Sequence, residues 1–212
     1  MTRTGQTEAT LSHLDDATRS LVRLAAVLAA GSEADVRLHL QHASTSTPPV
    51  WIEELILQTY LFAGFPRALN GMREWRRMHR ERAASVASIS ESTARERGEA
   101  TCETVYGTMF DKLRVNIRAL HPLLDDWMIL EGYGKVLSRP DLDLQRRELC
   151  IVAACAAGGQ DRQLQSHLHG ALNAGVRHEV ISSALHALQG VIPDGLHSRA
   201  LNLWQRIGHD VH

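Results

Sequence analysis

The sequence predicts an all-α fold, and three observations carry that expectation. Alanine, leucine and arginine dominate the chain, while its 212 residues hold only 3 Phe, 3 Tyr and 6 Pro, a balance that favours helix over strand. Apolar residues recur at helical spacing, as in Leu164, Leu168 and Leu172. Glycines stand where those periodic runs stop, as helix C-termini require.

Taken in order, residues 1 to 13 are polar and read as an arm. A helix from Asp15 to Ala30 carries Leu21, Leu24, Ala25 and Leu28 on its apolar face, and Gly31 ends it. Ser32, followed by Asp35, opens a second helix to Ala43. Ser44 to Pro49 reads as a loop by composition. Trp51 to Ala63 is the next helix, broken by Gly64-Phe65-Pro66 and continued from Arg67 to Arg82. Ala83 to Thr93 is a small, polar linker. Arg95 to Leu120 reads as one helix or two, with Gly98 and Gly107 as weak points and Tyr106, Phe110 and Leu113 as a core stripe. Pro122 starts a helix that reaches Leu137, where Ser138-Arg139-Pro140 breaks it. Two further helices, Arg177 to Gly190 and Pro193 to His209, close the chain.

The chain is organised around the stretch between them, a helical hairpin from Asp143 to Gly175. Its first helix is N-capped by Asp143 and stopped by Gly158-Gly159; its second runs from Asp161 to Ala174. At ~1.5 Å rise per residue, Glu148 and His167 lie roughly 15 Å and 12 Å from the turn, which puts both side chains at nearly the same level. A carboxylate there can orient the imidazole, fix its tautomer and raise its basicity, which makes a usable acid/base pair. The same spacing also fits a surface glutamate and a core histidine that merely meet. Around the pair, Tyr133 is expected at a core or pocket wall. Arg139, Arg146 and Arg147 form a cluster suited to substrate carboxylates, because a guanidinium pairs with them in a bidentate fork; capping or interface ion pairs are the other use of such a cluster. No metal is expected, since His167 and His169 diverge by about 200° on a helix and cannot converge on one ion.

The hairpin has an internal counterpart. Arg19 to His42 aligns without gaps on Arg147 to His169, with Ser20 at the position of Glu148 and His39 at that of His167. The expectation is two tandem pseudo-repeats, 1–82 and 101–212, joined by a linker at 83–100, with the second repeat active.

Composition sets outer bounds. A formal net charge of −1 gives no electrostatic case for nucleic acid or an anionic membrane. Cys102, Cys150 and Cys155 make neither a metal spacing nor an even disulfide set, so buried free thiols in a reducing cytoplasm are expected. The first residues hold no apolar signal core, and no run approaches membrane-spanning length.

From His121 to Val176 the chain resembles the carboxymuconolactone decarboxylase family. The resemblance rests on Tyr133-Gly134, Ser138-Arg139-Pro140, Leu142, Arg147-Glu148-Leu149, and His167 followed by Gly170-Ala171-Leu172-Asn173-Ala174-Gly175. Tyr60 with Gly64-Phe65-Pro66 resembles the same family's aromatic and Gly-x-Pro kink. The resemblance implies the alkylhydroperoxidase D-like helical fold, a homo-oligomer often built in threes, and a small-molecule substrate. In the peroxidase branch a Cys-x-x-Cys would occupy the positions of Gln160 and Gln163, and glutamine forms neither thiolate nor disulfide. The resemblance therefore implies the decarboxylase-like branch, a lyase without cofactor acting on a small carboxylated lactone or related ring-cleavage product of aromatic catabolism. His167 and Glu148 would be catalytic there, and Arg139, Arg147 and Tyr133 substrate-binding. An alkylhydroperoxidase-like redox protein and a non-catalytic ligand-binding oligomer are the alternatives.

Overall fold

The computed structural model describes residues 13–80 and 89–209. Helix α1 (Asp16–Ala30) is capped by Asp15, whose carboxylate accepts the Thr18 N–H at 2.7 Å. In α2 (Glu33–Ser46) the Ser32 hydroxyl and the Asp35 carboxylate close a reciprocal capping box, as their spacing predicts. This helix continues through Ser44–Ser46, which composition had assigned to a loop. The Ser44 and Thr45 hydroxyls donate to the carbonyls of Gln41 and His42, each at 2.7 Å, so the hydroxyl-rich tail binds its own helix. Helix α3 (Pro49–Ala63) starts two residues earlier than expected, with proline at its first position, and α4 (Phe65–Met78) follows across Gly64.

Helix α5 (Glu91–Tyr106) begins inside the stretch expected to be linker, because the Ser90 hydroxyl accepts the Thr93 N–H; residues 81–88 of that stretch lie outside the described residues. A single 3₁₀ turn at Gly107–Met109 leads into α6 (Phe110–Leu120), then α7 (Pro122–Trp127). The expected continuation to Leu137 exists but winds as a π-helix, Met128–Leu137, in which the Ser138 N–H reaches the Tyr133 carbonyl five residues back at 2.9 Å. Helices α8 (Leu144–Ala157), α9 (Asp161–Asn173), α10 (His178–His186) and α11 (Asp194–His209) complete the chain. Of these, α10 falls short of Gly190, its end tightening into i to i+3 bonds between Leu185 and Leu188 and between His186 and Gln189.

Among the described residues there is no strand. Helix α8 is the centre of the molecule. It is buried without interruption from Arg147 to Ala157, and it packs against α1, α3, α9, α10 and α11. Its four alanines let those neighbours approach closely. Asp143 caps it as expected, accepting the Arg146 N–H at 2.9 Å. Gly159, at φ +64°, makes the reversal into α9, where a side chain would be strained. The α1–α2 hairpin lies alongside, α1 against α8. There Ser20 bonds Ser46, and His39 sits beside His42.

Candidate active site

The hairpin brings Glu148 and His167 together. His167 Nδ1 lies 2.8 Å from Glu148 Oε2, and both side chains are buried. The contact needs the glycine next to it on α9: a Cβ on Gly170 would stand 2.6 Å from Glu148 Oε2 and 2.7 Å from Val105. Glu148 Oε1 is buried with no hydrogen-bond partner among the described residues. Buried polar atoms are nearly always bonded, so such an orphan calls for an explanation. His167 Nε2 has no hydrogen-bond partner among the described residues, which leaves it available to a bound molecule.

Side chains from distant helices complete the surround. Phe62 of α3 meets the His167 ring edge to face at 5.5 Å, and Tyr106 of α5 lies 6.5 Å from it between ring centres. Tyr106 in turn faces Tyr133, which the π-helix delivers, edge to face at 6.3 Å between ring centres. Burial pushes the Tyr106 phenol up to about 12. Burial also holds Tyr133 well above its usual range, and the charges of Tyr106 and Glu148 add to that. Both phenols therefore keep their protons through the physiological range and can donate. Sequence reasoning placed Tyr133 here but read Tyr106 only as core. The signal for Tyr106 was a polar-tipped aromatic directly before the Gly107 break.

The arginines are paired within the protein. Arg139 donates to both oxygens of Glu54 at 2.7 to 2.9 Å, and the fully buried Arg147 donates to Glu54, Gln58 and the Leu142 and Arg139 carbonyls. Burial alone would raise the Glu54 carboxyl, but the hydrogen bonds from Arg139 and Arg147 outweigh it and hold Glu54 below the usual carboxylate range. These guanidiniums are engaged by an acid of the protein itself, so they join helices instead of presenting a free fork. Arg146 likewise bonds Asp143, Asp15 and Thr18.

Gln160 donates to the Phe62 carbonyl at 3.4 Å, while Gln163 and His169 are exposed. All three cysteines are buried, and burial pushes each thiol up to about 12, far from the thiolate that redox chemistry needs. Among the described residues no three His, Cys, Asp or Glu side chains are grouped to hold a metal, and no helix is long and apolar enough to cross a membrane.

On the outer side of Tyr106 a groove of about 630 Å³ opens between α9 and the α5–α6 connection, with Met109, Lys112, Leu113 and His169 among its walls. Tyr106 thus has one side toward the groove and the other toward His167.

Comparison with known proteins agrees with this architecture. Peroxisomal protein 2 of Schizosaccharomyces pombe is 29% identical over 150 residues, which cover 68% of this chain and 70% of that protein. The carboxymuconolactone decarboxylase family model matches residues 1–77 and 125–191. The first matched segment holds α1 to α4 up to Arg77, and the second holds both Glu148 and His167. With more than half of its residues matched, the chain belongs to the carboxymuconolactone decarboxylase family.

Proposed function

We propose that this chain is a cofactor-independent acid/base enzyme of the decarboxylase-like kind, in which His167 moves a proton and Glu148 orients it. The observation that carries the reading is the buried 2.8 Å contact between Nδ1 and Oε2, which commits one ring nitrogen to the carboxylate and leaves Nε2 free. With Nδ1–H donated to Glu148, Nε2 is the atom that exchanges a proton with substrate. In a decarboxylation the bond between the substrate carbon and its carboxylate breaks and carbon dioxide leaves. The electron pair passes into a conjugated carbonyl, and Nε2–H then protonates that carbon, the imidazole recovering its proton from water. The apolar surround limits solvation of the departing carboxylate. The buried, high-pKa thiols and the glutamines at 160 and 163 support this over a peroxidase reading.

The substrate class we propose is a small carboxylated lactone or related ring-cleavage product. The relative's name places that protein at the peroxisome; a cofactor-free acid/base enzyme works equally in that compartment or in the cytoplasm. The test is proton NMR of a panel of carboxylated lactones incubated with the protein in heavy water. Conversion should place one deuterium on the carbon that loses carbon dioxide, and His167→Ala should lower the rate by about a hundredfold or more. Equal turnover by the variant would sink the reading.

A further inference from the structure

Beyond the acid/base chemistry at His167, we infer that the groove outside Tyr106 is a separate docking site that takes a molecule with an apolar body and a single carboxylate, whose charge Lys112 holds. Arg139 and Arg147 are both paired with Glu54, and neither lines the groove. Lys112, on the groove wall, is exposed and has no ion-pair partner among the described residues. No Asp or Glu of the described residues lines the groove, so the ammonium there faces no competing carboxylate.

The rest of the wall is mixed in the way small-molecule sites are, with Met109 and Leu113 as apolar surface and Asn116 and Asn173 as sparse polar groups. A volume of about 630 Å³ lies within the usual range for such sites. Asn173 pins the groove's floor by donating to the Val105 carbonyl at 2.8 Å. Tyr106 forms the inner wall and contacts the His167 ring behind it, so a ligand in the groove lies one side chain away from the acid/base pair.

The matched family segments end at residue 77 and resume at 125, so Tyr106, Met109, Lys112 and Leu113 belong to the stretch between them. One wall of the groove is therefore built by the part of this chain that the family model does not cover, and α9, within the second matched segment, supplies the other through Ser166, His169 and Asn173. One free lysine matches one negative charge. A second carboxylate on the ligand would find no second ammonium or guanidinium on the groove wall to pair with.

The experiment is isothermal titration calorimetry of the full chain with three probes. Phenylacetate carries the apolar body and one charge, phenylacetamide removes the charge, and homophthalate adds a second carboxylate. Phenylacetate should bind about tenfold tighter than phenylacetamide, as one partly exposed charge-assisted contact provides, and at least as tightly as homophthalate. Lys112→Met should erase the preference for phenylacetate over phenylacetamide, Lys112→Arg should keep it, and Asn116→Trp should fill the groove and abolish binding of both. No binding of phenylacetate, a preference that survives in Lys112→Met, or tighter binding of homophthalate would each overturn the inference. Binding requires no turnover, so the two readings fail separately. Calorimetry that fails in a protein with His167-dependent deuterium incorporation refutes the groove alone. Lysine-dependent binding in a protein that turns over nothing counts against the acid/base reading alone.

Discussion

At Gly170 a single missing carbon atom decides where the Glu148 carboxylate can sit. The space a Cβ would take there is held by Oε2 at 2.6 Å and by the Val105 side chain at 2.7 Å, both closer than real Cβ contacts allow. Oε2 is also the atom that holds His167, so the two requirements meet at one point. Gly170→Ala should push the carboxylate off Nδ1 while costing about 1–3 kcal/mol of stability, the usual range for overpacking. The check is the ¹⁵N shift of the His167 ring beside a urea titration. A ring signal that matches the wild type would show that the carboxylate re-aims around the methyl group, and the glycine would then be a packing residue only. The unpartnered Oε1 belongs to the same account. Leaving a buried acceptor unmet costs about 1–3 kcal/mol, so a shift of the carboxylate that changed the surroundings of Oε1 would alter stability as well as the contact to His167.

Among the elements, the π-helix stands out because it sets the aim of Tyr133. It lies against α5 with almost no side chain between them. A Cβ on Gly134 would stand 2.1 Å from the Ala94 carbonyl oxygen, and one on Gly98 would stand 2.2 Å from that of Ile129. Both obstacles are backbone, which cannot rotate away. Gly134→Ala should therefore cost about 3 kcal/mol or more, at the high end for single substitutions, and should separate Tyr133 from Tyr106. The measurement is a urea midpoint together with the tyrosine ultraviolet difference spectrum; an unmoved midpoint would mean that α5 and the π-helix slide apart freely. These contacts also show what the sequence made legible. The hairpin pair was readable because a tight turn and a fixed rise per residue determine depth on both arms. The π winding was not, since Ile129 to Leu137 is buried almost all round and leaves no single apolar stripe whose period would record the turn size. Phe62 and Tyr106 reach His167 from helices 105 and 61 residues earlier in the chain, and no local spacing encodes such a meeting. The pairing of Arg139 and Arg147 with Glu54 was illegible for the same reason, since Glu54 lies 85 and 93 residues away.

For the molecule as a whole, that distant partnership is one of the links between the two family-matched segments, beside the packing of α1 on α8. Glu54 and Gln58 stand on α3 in the first segment, whereas Arg139 and Arg147 belong to the second. Gln58 adds a bond from its amide to the Arg147 carbonyl at 3.2 Å. Neutralising the acid with Glu54→Gln keeps its shape but leaves two guanidiniums without their counter-charge. Breaking a buried pair in this way costs about 3–5 kcal/mol, and the partial exposure of Arg139 argues for the lower end. The pH dependence has a definite sign. The folded protein holds the Glu54 carboxyl below its ordinary value of 4.5, so its stabilisation is fully present above that value and is lost as pH falls through the depressed folded one. Urea midpoints for wild type and Glu54→Gln should therefore stand far apart at pH 7 and converge only as the pH drops below about 4.5. A gap of constant size from pH 7 to pH 3 would show that the ionised carboxylate is not what clamps α3 to α8. The two matched segments would then be held together by apolar packing around α8 alone.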